Sequence, residues 1–133
     1  MKQKPTVLMV DDEADLAVIV RSWLEPEYDF HAYGSAEEFE SALLAVVPDL
    51  VILDLYLPGV GGYELCRRLR AAPGLETVPV LFLTGSQRVE DYHRSMVAGG
   101  DSYLMKPVGR AQLLAAISGL LPQPCTQEDG SGD

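Results

Sequence analysis

The chain has 133 residues, of which 47% are hydrophobic, and a formal net charge of −10 at pH 7. This length is close to the commonest domain size and favours one globular domain with its own core. The acidic excess argues against direct nucleic-acid binding, and no apolar run approaches the ~20 residues that a membrane-spanning helix needs.

The N-terminal segment and the cysteines are typical of a protein in a reducing compartment. Residues 1–5 are basic, but a strand pattern follows them rather than the apolar core of a signal peptide. Cys66 falls in a predicted helix and Cys125 in the C-terminal segment, so the sequence does not favour a disulfide. We therefore expect a cytoplasmic protein in a reducing compartment, without association with a membrane.

Two strands and a helix are predicted in the first quarter of the chain. Residues 6–10 form an apolar run that leads directly into Asp11 and Asp12. A helix is expected from about residue 15 to residue 24, before a proline. Residues 28–32 alternate apolar and polar side chains, which is typical of a strand at the edge of a sheet.

A second helix begins with a capping pattern. Ser35 is followed three residues later by Glu38, the spacing of a capping box. The helix that it opens is predicted to present Phe39, Leu43 and Val46 on one apolar face.

The third predicted strand ends in an aspartate. Residues 49–54 form a nearly all-apolar run that ends at Asp54, and residues 55–59 then turn the chain away. Such a run is typical of a strand buried on both faces of a parallel sheet. In open α/β sheets, ligands bind just beyond the carboxyl ends of the strands. Asp54 is thus a candidate functional residue.

The rest of the chain repeats this alternation. Residues 78–83 lead into Thr84, and residues 102–105 lead into Lys106. Helices are predicted over about residues 63–71, 89–98 and 110–120. Five strands alternating with five helices predict an α/β fold with right-handed crossovers. We expect a flavodoxin-like, doubly wound, five-stranded parallel sheet with strand order 2-1-3-4-5.

The polar residues at these strand ends predict a particular chemistry. Three crowded carboxylates, those of Asp11, Asp12 and Asp54, repel one another unless a cation relieves the repulsion. Oxygen ligands without histidine or cysteine favour Mg²⁺. A carboxylate can form an aspartyl-phosphate, and the Lys106 ammonium and Thr84 hydroxyl would then contact the oxygens of the phosphoryl group.

These residues and their order resemble the receiver domain of bacterial two-component response regulators. The resemblance covers about residues 5–121. It rests on the acidic pair after the first strand, Asp-Leu-x-Leu-Pro-Gly at the third, Thr-Gly at the fourth and Tyr-Leu-x-Lys-Pro at the fifth. It implies that Asp54 accepts a phosphoryl group from a histidine kinase or a phosphotransfer protein, and that the chain catalyses only its own phosphorylation and dephosphorylation.

The resemblance also implies roles for the surrounding residues. Asp12 and Asp54 would bind Mg²⁺ directly with the Tyr56 backbone carbonyl, and Asp11 would bind it through water. Lys106 and Thr84 would contact the phosphoryl group. Tyr103 would act with Thr84 as the switch that reshapes the face formed by the fourth helix, fifth strand and fifth helix. That face would bind a downstream effector, an attached output domain or a second copy of the chain.

Other functions compete with this interpretation. A dehalogenase-type phosphatase needs a second acid two residues after its nucleophile, where this chain has Tyr56, and no nucleotide-binding Gly-Lys-Ser/Thr loop is present. The strongest alternative is a receiver-like interaction module that is not phosphorylated. The sequence does not distinguish a relay receiver from a terminal switch.

Two features outside the core site complete the predictions. Residues 1–121 are predicted to form the receiver domain, and residues 122–133 a disordered tail or the start of a linker. Tyr56 and Ser86 stand two residues beyond Asp54 and Thr84. Since the Tyr56 ring would shield a phosphoryl group from water, we predict slow self-dephosphorylation.

Overall fold

The computed structural model describes residues 4–121, in which five strands alternate with five helices. The strands are β1 (Thr6–Val10), β2 (Asp29–Tyr33), β3 (Leu50–Leu53), β4 (Val80–Thr84) and β5 (Ser102–Met105). The helices are α1 (Ala14–Leu24), α2 (Ala36–Ala42), α3 (Gly62–Ala71), α4 (Val89–Val97) and α5 (Arg110–Leu120).

All neighbouring strands are parallel, and their order across the sheet is β2-β1-β3-β4-β5. The predicted fold class and strand order are therefore confirmed. The central strands β1, β3 and β4 are buried at every position, as their continuous apolar sequences require, because helices cover both faces of a doubly wound sheet. The carboxyl ends of all five strands lie along one edge.

Two hydrophobic clusters fill the space between the sheet and its helices. On one face, residues such as Leu8, Val51 and Phe82 pack against α2 and α3. On the other face, the alternate residues of the same strands pack against Val20 of α1 and Leu113 of α5. Trp23 and Tyr28 are partly buried against this second cluster. Alternation along each strand thus sends successive side chains to opposite layers.

The second helix is shorter than its apolar pattern suggests. Ser35 caps it by accepting a hydrogen bond from the backbone N–H of Glu38 at 3.2 Å, as predicted, and the Glu38 carboxylate accepts one from the N–H of Gly34. The helix ends at Ala42 because the next backbone bonds, such as Leu44 to the Ser41 carbonyl, span three residues instead of four. Leu43 and Val46 still pack against the core from the turn that follows.

The fourth strand begins at Val80, two residues later than the apolar run suggests. Pro79 has no N–H to offer a neighbouring strand, although its carbonyl accepts a hydrogen bond from Val51. The Val80 N–H is bonded to the Asp101 carboxylate at 2.8 Å. Within residues 4–121, no helix is long and apolar enough to cross a membrane.

Candidate functional site

Four strand ends bring the predicted site residues to one place. Asp11 follows β1, Asp54 follows β3, Thr84 ends β4 and Lys106 follows β5. One carboxylate oxygen from each of Asp11, Asp12 and Asp54 lies within 4.8 Å of the others. The parallel register places these side chains together because the strands end at the same edge of the sheet.

Asp11 is the most buried acid of this group, with 4% of the residue exposed. Its Oδ1 accepts a hydrogen bond from the Glu13 backbone N–H at 2.9 Å. Its Oδ2 forms an ion pair with the Lys106 Nζ at 2.9 Å but accepts no hydrogen bond of good geometry from the described residues. Burial raises the pKa of the Asp11 carboxyl, and the nearby Asp54 carboxylate adds to the rise, against the opposing effect of Lys106.

Lys106 is the cation that contacts the acidic cluster, and it is shared among three acids. Its Nζ lies 2.9 Å from Asp11, 2.9 Å from Glu13 and 3.5 Å from Asp54. Burial alone would lower the pKa of this ammonium, but its close contacts with the Asp11 and Glu13 carboxylates outweigh that effect and raise it. Lys106 is therefore charged at neutral pH, and it partly neutralises the carboxylates around it.

Asp54 and Thr84 form the floor of an open cleft. Asp54 is 6% exposed and Thr84 is fully buried. The Tyr56 backbone N–H donates to Asp54 Oδ1 at 3.3 Å, and the Ser86 N–H donates to the Thr84 hydroxyl oxygen at 3.4 Å. In the loops after β3 and β4, a backbone N–H is thus hydrogen-bonded to the polar side chain at the end of the preceding strand. The cleft residues include Asp12, Asp54, Tyr56, Thr84, Ser86, Arg88 and Lys106.

Tyr103 on β5 is half-buried and faces the loop after β4. Its hydroxyl donates to the Ser86 carbonyl at 3.1 Å, and its ring meets Tyr92 of α4 edge to face at a centroid distance of 5.4 Å. Tyr103 therefore connects β5, α4 and the cleft loop, which is the position that its predicted switch role requires. Its movement stays a prediction.

Sequence reasoning missed two members of the site. Glu13 was not among the predicted site residues, and its contact with Lys106 depends on how the chain turns into α1. Asp91 was not singled out at all. Its carboxylate on α4 accepts hydrogen bonds from the hydroxyls of Tyr56, Tyr63 and Ser86. An acid in the first turn of a helix is common, so only the three-dimensional contacts distinguish it.

The comparison with known families matches this geometry. Residues 7–118 match the model of the response regulator receiver domain. The chain belongs to that family. Its place in two-component signalling follows from this membership, and receiver domains are not classical enzymes that act on separate substrates.

Curated relatives of this receiver domain include longer regulatory proteins. The phosphate regulon transcriptional regulatory protein PhoB of Rhizobium meliloti is 38% identical over 118 residues, which are 88% of this chain and 52% of the relative. The DNA-binding response regulator MtrA of Mycolicibacterium paratuberculosis is 37% identical over 88% of this chain and 50% of its own length. The chain thus spans about half the length of the curated relatives that it matches.

Solved structures of receiver domains superpose closely on the chain. The signal receiver domain of a histidine kinase from Syntrophus aciditrophicus gives a TM-score of 0.82 at 30% identity, covering 96% of this chain and 97% of that one. A CheY-like receiver domain protein from Methanospirillum hungatei gives 0.81 at 26% identity, with coverages of 87% and 92%. The match extends over nearly the whole receiver fold in both cases.

Proposed function

We propose that this receiver domain is a signalling switch that accepts a phosphoryl group on Asp54 from a histidine kinase or a phosphotransfer protein. The observation that carries the proposal is the position of the Asp54 carboxylate, at the floor of the cleft and 3.5 Å from Lys106, with Asp11 and Asp12 beside it. A nucleophile, a cation and an acidic cluster are the groups that phosphoryl transfer to a carboxylate needs.

The transfer proceeds by in-line displacement. An Asp54 oxygen forms a bond to phosphorus while the bond from phosphorus to the donor's imidazole nitrogen breaks, and that nitrogen keeps the electron pair. Lys106 balances charge on one phosphoryl oxygen, and the Thr84 hydroxyl donates to another. Both side chains are held in place by the strands that precede them, so the site is preorganised for the developing charge.

The acidic cluster fits a Mg²⁺ ion. Three carboxylates stand within 4.8 Å of one another, and the buried Asp11 Oδ2, although paired with Lys106, accepts no hydrogen bond of good geometry from the described residues. We infer that Asp12, Asp54 and the Tyr56 carbonyl hold the ion, with Asp11 acting through water. When bound, Mg²⁺ supplies positive charge that screens the carboxylates from the incoming phosphoryl group.

The partners and location belong to the same proposal. The output surface is the face of α4, β5 and α5, where Val89, Tyr92, Val97 and Met105 are exposed. It would bind a downstream effector, an attached output domain or a second copy of the chain. The relative MtrA is named as a DNA-binding response regulator, whereas this chain, at a net charge of −10, is expected not to contact nucleic acid directly. A cytoplasmic location stays a prediction, and the tail at residues 122–133 lies outside the described residues.

Intact-mass measurement after incubation with acetyl phosphate and Mg²⁺ tests the phosphoacceptor. We expect one added phosphoryl group in the wild type and none in Asp54→Asn or in the presence of a chelator. Asp15→Asn is the matched control, since it removes an exposed carboxylate from the start of α1 and should leave the uptake unchanged. Equal uptake in Asp54→Asn and wild type would contradict the assignment.

The alternative is an interaction module that is not phosphorylated. It predicts that acetyl phosphate adds no mass to the wild type and that partner binding is independent of Mg²⁺. Nothing in the site favours it, because Asp54, Lys106 and Thr84 are all present and adjacent.

A further inference from the structure

Asp91 is a buried carboxylate outside the predicted site, and three side chains donate to it. Tyr63 of α3 donates its hydroxyl to Oδ1 at 2.9 Å. The hydroxyls of Tyr56 and Ser86 both donate to Oδ2. The hydrogen bonds from Ser86, Tyr56 and Tyr63, in that order of effect, lower the pKa of Asp91 to about 2, so the acceptor is ionised at neutral pH. One side chain on α4 thus connects α3 with both loops of the cleft.

Two of these three donors line the cleft above Asp54. Tyr56 and Ser86 are cleft residues, and each stands two positions beyond a residue of the proposed site. Tyr63 is not a cleft residue; its ring packs beneath the Arg94 guanidinium and beside Phe82. Because the Tyr56 and Ser86 hydroxyls are directed at Asp91, neither is turned toward the space where a phosphoryl group on Asp54 would meet water.

We propose that Asp91 is a positioning residue that prolongs the phosphorylated state of Asp54, by holding the Tyr56 ring as a wall of the cleft and by keeping the Ser86 hydroxyl away from the attacking water. This inference rests on the proposed function, since it concerns the lifetime of the aspartyl-phosphate. Asp91 itself touches no reacting atom, and it acts through the two side chains that it binds.

The step that Asp91 slows is hydrolysis. A water oxygen forms a bond to phosphorus as the bond from phosphorus to the Asp54 oxygen breaks. The electron pair returns to the Asp54 carboxylate, the water proton passes to solvent, and inorganic phosphate leaves. The water must approach on the side opposite the Asp54 oxygen. A ring fixed in the cleft wall restricts that approach, and a serine hydroxyl bonded elsewhere cannot orient the water.

Decay of the aspartyl-phosphate in matched variants tests the proposal. The experiment uses the wild type, Asp91→Asn and Tyr56→Phe. Each protein is phosphorylated with acetyl phosphate and the donor is removed. The loss of the phosphoryl group is then followed by intact mass at one Mg²⁺ concentration. We expect decay about fivefold faster in Asp91→Asn and in Tyr56→Phe, the effect of losing about one net hydrogen bond. The double variant should decay no faster than Asp91→Asn alone, because both changes break the same contact.

Two controls separate positioning from a general loss of structure. Tyr63→Phe removes a hydroxyl that donates to the same carboxylate but lies outside the cleft. It should lower the urea midpoint of unfolding about as much as Tyr56→Phe does, yet leave the decay rate at the wild-type value. Glu90→Gln removes the neighbouring exposed charge of α4 and should also decay at the wild-type rate.

The outcomes distinguish this inference from the proposed function. Uptake of a phosphoryl group with unchanged decay in Asp91→Asn and Tyr56→Phe overturns the inference alone. Equal acceleration in Tyr63→Phe, or additive effects in the double variant, also overturns it. Failure of the wild type to take up a phosphoryl group overturns the proposed function, and the inference with it. If Asp91→Asn does not fold, the comparison of Tyr56→Phe with Tyr63→Phe decides.

Discussion

Lys106 shows how one residue can serve two arrangements of the same site. Without a phosphoryl group, its ammonium is divided among Asp11, Glu13 and Asp54. To contact a phosphoryl oxygen on Asp54, it has to give up part of this contact. Glu13 is the exposed member of the set, with 58% of its side chain accessible. Solvent therefore weakens the ion pair between Glu13 and Lys106 more than the other two.

Removing Glu13 should therefore favour phosphorylation. Exposed ion pairs contribute about 0.2–1 kcal/mol, which predicts that Glu13→Gln takes up phosphoryl groups from acetyl phosphate about 1.5- to fivefold faster. The measurement is the initial rate of mass gain at fixed Mg²⁺. Asp15→Asn is the control, because it also removes one negative charge near the site. If it accelerates phosphoryl uptake as much as Glu13→Gln does, the cause is general repulsion of the anionic donor and not the Lys106 ion pair.

Among the elements, α3 approaches the Asp54 segment more closely than side chains normally permit. A Cβ at Gly62 would lie 2.3 Å from the Asp54 carbonyl oxygen and 2.9 Å from the Leu55 Cα. The Gly62 N–H also donates to the Leu55 carbonyl at 3.0 Å. The first residue of α3 therefore fixes the backbone that carries the proposed nucleophile, and only glycine fits there.

Alanine at Gly62 should disturb both the fold and the site. Overpacking against backbone predicts a loss of about 1–3 kcal/mol in the free energy of unfolding, together with slower phosphorylation, because Asp54 is displaced. Gly119→Ala on α5 is the opposite case: nothing lies within 4 Å of its Cβ position, so it should raise stability, by at most about 1 kcal/mol. Urea unfolding of both variants checks the prediction, and equal losses would mean that close approach is not the cause.

The face of α4, β5 and α5 should respond when Asp54 is modified. Tyr103 contacts both α4 and the loop after Thr84, so a shift of that loop changes the surface that Tyr92 and Met105 share. Amide chemical shifts recorded with and without beryllofluoride, a phosphoryl mimic, should change across residues 87–118. Changes restricted to the loops beside Asp54 would mean that this face is not the output surface.

The sequence predicted the elements well because their signals are local. Apolar runs of strand length and helical periodicity identified every strand and helix. Asp54, Thr84 and Lys106 were selected because several strand ends carry polar groups that a parallel sheet brings to one edge, and their chemical roles stay predictions. The contacts of Glu13 and Asp91 were not predictable in this way. They depend on the paths of loops and on hydroxyls from three separate elements, which no local pattern encodes.

At the scale of the whole molecule, the acidic site should couple metal binding to stability. The chain carries a net charge of −10, and three of its carboxylates are gathered in one cluster. A ligand that binds only the folded state adds about 2.7 kcal/mol at 100 times its dissociation constant. Mg²⁺ should therefore raise the melting temperature in a saturable manner.

The metal effect has to be separated from general screening of the negative charge. KCl at matched ionic strength should raise the melting temperature less, and without saturation. The additional, saturable rise with Mg²⁺ should be lost in Asp12→Asn and retained in Asp15→Asn. Calorimetry of the three proteins with each salt checks this. An equal rise with KCl and Mg²⁺ in the wild type would mean that the cluster holds no specific ion.

The division of aromatic residues between the two layers gives the molecule two separate optical reporters. Trp23, the sole tryptophan, packs in the layer of α1 and α5, whereas Tyr63 and Tyr103 pack in the opposite layer. Tryptophan emission should therefore report melting of the layer in which Trp23 packs. In the folded protein, tyrosine ultraviolet difference spectra should respond to events at the cleft, so the two layers have different reporters in the unlabelled protein.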